Sequence, residues 1–264
     1  MNYISKNKQS FGQVAKDYKK YRGSYNKALY EKLLSLVKNK KEAISILDLG
    51  CGVGNSTEPI FTMAKKLKIP VTIVGCDPDL AMLGEARRSA KKNKLPIEYV
   101  EGSAEKLPFE KEQFDIVISG AAFHWFATPK AFKEIQRVMK KNATYFVFWT
   151  QNVKTNKPTI GEDLYKKYGF KGIPKELRDT TYVRGLFTKA GFSKVKTEVL
   201  PYVERKTVAE SIGLIKTNSG YAVLSDKDKK AFIQAMKKEY IKALGTKKIT
   251  LRQEIRICYG TKMP

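Results

Sequence analysis

Ala43-Ile44-Ser45-Ile46-Leu47-Asp48-Leu49-Gly50-Cys51-Gly52-Val53-Gly54 decides how the rest of the chain is read. A short apolar run rich in Ile, without polar alternation, predicts a strand buried on both faces of a parallel sheet. Three glycines at alternate positions follow it. They predict a tight loop whose backbone approaches a ligand closely. Residues 55–67 then read as a helix, so the loop joins a strand to a helix N-terminus.

The pattern repeats outward from this point. Pro70 to Cys76 is a second β-branched run, and Asp79 is placed to cap a helix over 80–93. Ile97–Val100, Phe114–Ser119 and Ala143–Thr150 predict three more strands, with a helix over 128–139 between the last two. Strand–helix alternation of this kind predicts a parallel sheet covered on both faces, with right-handed crossovers and a ligand beyond the carboxyl ends of the strands. Upstream, residues 8–22 carry Phe11, Val14, Ala15 and Tyr18 at helical spacing, and residues 26–38 repeat the pattern. Downstream, residues 151–180 are polar and broken by Gly and Pro. A helix over 180–190 and a strand over 195–203 come next. Two helices over 207–217 and 226–244 then precede a last strand over 249–259. The expected organisation is a single domain over 1–264. It comprises a helical cap over 1–40, a cofactor-binding core over 41–150 and a sheet-completing part over 151–264. The last part carries a helical lid insertion over 204–246.

Composition narrows the class. The chain has 264 residues, 42 % hydrophobic and 29 % charged, as expected of a globular protein. Three cysteines without a CxxC pair and a single histidine argue against a structural zinc site and a disulfide framework, so no metal is expected. The polar N-terminus and the lack of a long apolar stretch predict a cytoplasmic protein without a membrane span. Lys and Arg total 51 against 26 acids, a formal net charge of +25 spread along the chain. That excess fits a solvated lysine-rich face first, and otherwise attraction to RNA, an anionic membrane, an acidic carrier protein or an anionic small molecule.

The glycine spacing is GxGxG after an acid, one residue short of the dinucleotide fingerprint. A second acid, Asp77, ends the next strand 23 residues after Gly54. An acid there can accept hydrogen bonds from a ribose diol. Asp79 is the better cap, which leaves Asp77 for a ligand.

With these residues in view, the chain resembles the class I S-adenosylmethionine-dependent methyltransferases. Ile46–Gly54 resembles their first motif, Val74-Gly75-Cys76-Asp77 their ribose-binding motif, Glu101–Phe109 their adenine-contacting loop and Phe114–Ser119 their fourth motif strand. Within them it is most similar to small-molecule enzymes of the trans-aconitate methyltransferase type. That likeness rests on Phe11-Gly12-x-x-Ala15-x-x-Tyr18-x-x-Tyr21-Arg22-x-x-Tyr25 and on Ala121-Ala122-Phe123-His124-Trp125-Phe126. The resemblance implies a doubly wound, seven-stranded, mostly parallel Rossmann-like sheet with one antiparallel strand. It implies S-adenosyl-L-methionine as cofactor and S-adenosyl-L-homocysteine as product.

Cofactor contacts are then expected from Arg22, Asp48, Gly50, Gly52, Gly54, Asp77 and Pro78, and from Ser103, Ala104, Glu105 and Ser119. Ser103 departs from the Asp common in the family; it is shorter and neutral. Tyr18, Tyr25, Phe123, His124 and Trp125 are the expected acceptor contacts. His124 is a candidate base or positioning group, and the aromatics are either pocket wall or core. Arg22 is either a bidentate carboxylate clamp or a surface arginine. The expected reaction is methyl transfer to a small molecule, with O-methylation of an acidic metabolite first. Malonyl-acyl carrier protein, a quinone precursor, RNA methylation and a non-catalytic nucleic-acid-binding protein remain as alternatives.

Overall fold

Every strand that builds the centre of the sheet comes from one of the apolar runs. The structure, a computed structural model, describes residues 14–37, 42–153, 159–170, 173–245 and 248–264. β1 (Ile44–Leu49), β2 (Val71–Asp77), β3 (Glu98–Glu101), β4 (Phe114–Gly120) and β5 (Met139–Asn152) pair in parallel. With β6 (Phe192–Lys206) and β7 (Ile249–Lys262) they form a seven-stranded sheet in the order β3-β2-β1-β4-β5-β7-β6. Strand order reverses between β1 and β4, the place where such sheets open a crevice at their carboxyl ends. β7 is antiparallel to β5. Val153 N–H donates to the Arg252 carbonyl at 3.0 Å, and the Phe146 and Tyr259 rings stack at 5.7 Å. Both pairs give the same register.

The described helices are α1 (Ala15–Tyr21), α2 (Lys27–Ser35), α3 (Thr57–Lys66), α4 (Leu80–Lys92), α5 (Pro129–Val138), α6 (Glu162–Lys167), α7 (Thr180–Lys189), α8 (Val208–Lys216), α9 (Ser219–Ala222) and α10 (Asp226–Leu244). Their starts have local causes. Asp79 accepts from the Ala81 and Met82 amides, and Thr128 accepts from Ala131 with Pro129 in the first turn. Thr207 and Glu210 form a reciprocal capping box at α8. α5 buries Ala131, Phe132, Ile135 and Val138, one stripe of its surface.

Three boundaries differ from expectation. β5 begins at Met139, not Ala143. Its register with β4 jumps between Phe114–Met139 and Ile116–Thr144, and Asn142 takes a positive φ of 60°. A bulge thus lets polar Lys140, Lys141 and Asn142 belong to the strand. β6 is longer than 195–203, and its alternating side chains leave Val199 and Val203 exposed. A short helix, α6, lies in the segment read as irregular; Glu162 and Asp163 occupy its first turn. Phe11 and Gly12 of the N-terminal motif fall outside the described residues.

The chain divides into two compact units. One comprises residues 24–151, 173–200 and 255–264 and holds the sheet core. Its largest apolar cluster joins Phe114, Phe123, Phe132, Tyr145, Phe187 and Phe192 between β4, β5 and the helices α5 and α7. The other comprises residues 1–23, 152–172 and 201–254, and centres on Phe232, Met236 and Ile212 with the partly buried rings of Tyr165 and Phe170. Within it Gly213 is matched to Tyr21, whose ring would meet any added Cβ at α8.

Candidate functional site

The glycine loop is held from beneath by two carboxylates. Asp48, at the end of β1, is fully buried. Its Oδ2 accepts from Ser56 Oγ at 2.7 Å and Thr57 Oγ1 at 2.6 Å, so it fastens the loop to the start of α3. Its Oδ1 is buried without a hydrogen-bond partner. Burial raises this carboxyl to about 6. Asp48 shapes the loop from inside.

Asp77 ends β2 and faces the loop. Its Oδ2 accepts from Gly52 N–H at 2.9 Å, and its Oδ1 from Asp79 N–H at 2.9 Å. Asp79 is the helix cap, as expected, but Asp77 is not left free. Each of its oxygens is already committed once and keeps further acceptor capacity. Burial raises it too to about 6, against the two backbone donors that lower it. Gly50 and Cys51 N–H both donate to the Cys76 carbonyl, at 2.8 and 3.2 Å, which closes the turn over β2.

Gly50 has φ +75°, and a Cβ there would lie 2.5 Å from Ala122 Cβ. Gly52, at φ +53°, would press only on Met82 Cε at 3.1 Å. Gly54 packs against the Tyr99 hydroxyl. The absence of a side chain at Gly50 thus lets the loop pack directly against Ala122 and Phe126.

The expected adenine loop lies beside this turn. Gly102 N–H donates to the Asp77 carbonyl at 3.3 Å; Ser103 bridges to Lys106, Ala104 is buried and Glu105 is half-buried. Pro78 is exposed at the rim. Two residues that the sequence reading passed over hold this loop. Arg137 donates to the carbonyls of Phe109 at 2.7 Å and Leu107 at 3.0 Å, while Glu134 accepts from Leu107 N–H at 3.0 Å. The two side chains also pair with each other at 2.9 Å. Because the pair is partly exposed, its loss should cost little stability but loosen the loop. We expect Arg137→Ala to weaken S-adenosylhomocysteine binding about fivefold. Calorimetry beside a melting curve checks this; a lower melting temperature with unchanged affinity would defeat it.

The His-Trp segment forms a single turn over Phe123–Trp125 after β4. Ala121 N–H donates to the Phe148 carbonyl, which ties the turn to β5. Phe123 is not at the rim. It is buried among Phe126, Phe132, Tyr145 and Phe187, with ring centroids 5.8–6.4 Å apart, and is a core residue. Ser119 is likewise fully buried, its Oγ 3.3 Å from the Tyr145 hydroxyl. His124 and Trp125 are half-buried with their rings 4.8 Å apart. Tyr25 sets its ring edge-on to Phe148, and its N–H donates to Tyr30 Oη at 2.9 Å.

Tyr18 and Arg22 belong to the other unit. Arg22 Nε donates to Thr217 Oγ1 at 2.9 Å, and its guanidinium lies over the Tyr18 ring at 5.1 Å. The side chain is exposed but anchored to the end of α8. Among the described residues, no group of three metal-ligating side chains occurs, and no helix is long and apolar enough to cross a membrane.

The glycine turn, the strand-end acid and the reversal of strand order coincide at one sheet edge. The family model described as a methyltransferase domain matches residues 47–147, the stretch that contains them. The chain has the class I methyltransferase fold and is an S-adenosylmethionine-dependent methyltransferase. The methyltransferase is 23 % identical over 243 residues to a Dictyostelium discoideum protein named as a methyltransferase, covering 89 % of this chain and 86 % of the relative. It is 31 % identical over 171 residues to the malonyl-[acyl-carrier protein] O-methyltransferase of Legionella pneumophila, covering 63 % of this chain and 52 % of that one. Its fold matches phosphoethanolamine N-methyltransferase 2 of Haemonchus contortus, solved with phosphomonomethylethanolamine and S-adenosylhomocysteine. The TM-score is 0.57 at 17 % identity, over 96 % of this chain and 58 % of the other. The methyltransferase thus spans little more than half of the last two proteins. Fold and relatives imply S-adenosylmethionine as cofactor. The acceptor capacity left on Asp77 fits such a group.

Proposed function

We propose that this methyltransferase transfers a methyl group to a carboxyl oxygen of a small acidic metabolite. One observation carries the reading: the acids at the glycine loop are engaged in holding that loop. Asp48 is buried beneath Ser56 and Thr57, and Asp77 is bonded to two backbone amides. His124 is the single imidazole of the chain. A carboxylate nucleophile suits such a site, because it attacks without losing a proton.

Bound S-adenosylmethionine supplies an electrophilic methyl on a sulfonium. The acceptor oxygen would form the new C–O bond as the methyl–sulfur bond breaks, with the electron pair left on sulfur. The charges cancel: anion plus sulfonium give an ester and a neutral thioether. What the chain must provide is alignment and a dry approach. Asp77 would hold the ribose diol, Gly50 and Gly52 would let the backbone approach, and the loop over 102–109 would cover the adenine. His124 and Trp125 would position the acceptor. The likeness of Ala121–Phe126 to enzymes of the trans-aconitate methyltransferase type supports a free acid as acceptor. The Legionella relative supports a malonyl group borne on an acyl carrier protein, which offers the same nucleophile.

The test is a mass-spectrometric screen with isotopically labelled S-adenosylmethionine. It covers free dicarboxylic, tricarboxylic and fatty acids, malonyl carrier protein, quinol precursors and RNA. The expected result is a labelled, base-labile ester. Label found only on a phenol, a ring carbon, an amine or a nucleobase would refute the carboxyl assignment.

A further inference from the structure

The carboxyl edge of the sheet holds a second group of polar side chains, beyond the glycine loop. Trp149 sits near the end of β5, only 7 % exposed, and its indole Nε1–H has no acceptor. Gln151, two residues on, projects to the same face, and its buried side-chain oxygen has no donor. Arg178, in the turn before α7, has a buried Nε–H without an acceptor. Buried donors in folded chains are almost always paired, so three unmatched atoms in one neighbourhood call for an explanation.

Their neighbourhood follows from register. The β5–β7 pairing that sets Val153 against Arg252 and Phe146 against Tyr259 sets Trp149 against Arg256. Opposed residues of an antiparallel pair project to the same face. Arg256 Nη1 donates to the Arg178 carbonyl at 3.3 Å, which brings the 176–178 turn beside that pair. Leu177 and Trp125 both pack against the cluster that contains Trp149. The His-Trp turn is joined to Phe148 by the Ala121 amide. The acid nearby is Asp179, which caps α7, lies in the field of Arg256 and is not free.

We propose that Trp149 and Arg178 form an oxyanion subsite for the methyl acceptor, with Gln151 as a third contact. Trp149 Nε1–H and Arg178 Nε–H donate to the two oxygens of a carboxylate, or to two oxygens of a phosphate. The Gln151 amide serves a neighbouring hydroxyl or carboxyl, because either end of it can turn inward. The bound oxyanion is not the nucleophile. It holds an acceptor that carries a second nucleophilic group, so the subsite selects polyacids or phospho-compounds over monoacids. This inference rests on the reading of the protein as a small-molecule methyltransferase and adds the group by which the acceptor is gripped.

The chain has two tryptophans, so indole 15N labelling gives two side-chain N–H signals. Trp125→Phe and Trp149→Phe assign them. Protein saturated with S-adenosylhomocysteine is titrated with propane-1,2,3-tricarboxylate, with phosphoethanolamine and with the uncharged tricarboxylate trimethyl ester. The expected result is a saturable downfield shift of the Trp149 signal with one or both anions and none with the ester. The anion that acts identifies carboxylate or phosphate as the recognised group. Arg178→Gln, a change in a half-buried turn, should abolish the shift and leave S-adenosylhomocysteine affinity unchanged. With an active acceptor it should raise KM about thirtyfold and leave kcat near its original value. A Trp149 signal unmoved by both anions, or moved equally in Arg178→Gln, overturns the subsite. If labelled ester still forms in that case, the carboxyl-methylation reading stands without it. A saturable shift beside label found only on nitrogen supports the subsite and refutes the ester.

Discussion

Asp77→Ala is expected to weaken S-adenosylhomocysteine binding by about a hundredfold, through two losses at once. The carboxylate accepts from the Gly52 and Asp79 amides, so its removal frees the centre of the glycine turn. Hydrogen bonds to a charged group contribute about 1.5–3 kcal/mol each, and the ribose diol would lose its acceptor as well. Asp77→Asn keeps one acceptor and should recover part of the loss. The pH dependence separates ligand recognition from loop support. Burial raises Asp77 to about 6, so it is ionised at pH 7 and largely protonated at pH 5. Protonation removes acceptor capacity, and affinity should fall about tenfold from pH 7 to 5. The stability of the unliganded protein should move the other way. A carboxyl whose folded pKa lies above its unfolded value of about 4 is penalised when ionised. That penalty is present above pH 6 and is relieved as pH falls through the folded value toward 4. Asp48, raised to about 6 for the same reason, adds to the stability change in the same direction. Calorimetry and thermal melts across pH 5–8 would measure both. A pH-independent affinity, or an unchanged affinity in Asp77→Ala, would remove Asp77 from the binding role.

The central strands were legible because each carries its own signal. β1 and β4 are continuous apolar runs, and Asp79 stands where a helix cap must stand. Residues that depend on partners far along the chain were not legible in the same way. The bulge that recruits Lys140–Asn142 into β5 is set by pairing with β4, and nothing local marks it. Phe123 and Ser119 carry motif positions, yet Phe187, Phe132 and Tyr145 determine that they are buried. Asp48 and Asp77 look alike in sequence, each an acid at a strand end. Only the fold shows that one is sealed beneath Ser56 and Thr57 while the other faces the turn. Arg137 and Glu134 gave one usable signal, an i, i+3 pair on α5, but such pairs are common on solvated helices. Their reach across about 27 residues to Leu107 is a tertiary fact. The unmatched donors of Trp149 and Arg178 belong to the same class, brought together by β7 pairing rather than by spacing.

Gly50→Ala should be strongly damaging to the loop. The backbone at Gly50 has φ +75°, where an L side chain costs about 1–2 kcal/mol. The added Cβ would lie 2.5 Å from Ala122 Cβ, and Ala122 cannot swing aside because it is held within the turn to Phe123–Trp125. Relieving that overlap requires the glycine loop and the His-Trp turn to separate, an overpacking cost of about 1–3 kcal/mol. Both faces of the site would shift together, so cofactor affinity and acceptor turnover should fall in one step. Gly52→Ala is the matched control. It shares the positive φ, at +53°, but its Cβ would meet only the flexible Met82 terminus at 3.1 Å. The difference between the two variants therefore reports the contacts with Ala122 and, at 3.3 Å, with the Phe126 ring. The expected outcome is a lower melting temperature and weaker S-adenosylhomocysteine binding for Gly50→Ala than for Gly52→Ala. Replacing Ala122 by Gly in the Gly50→Ala background should restore part of both. Equal melting temperatures for the two alanine variants, with no rescue by Ala122→Gly, would mean that the loop and the turn are not in van der Waals register.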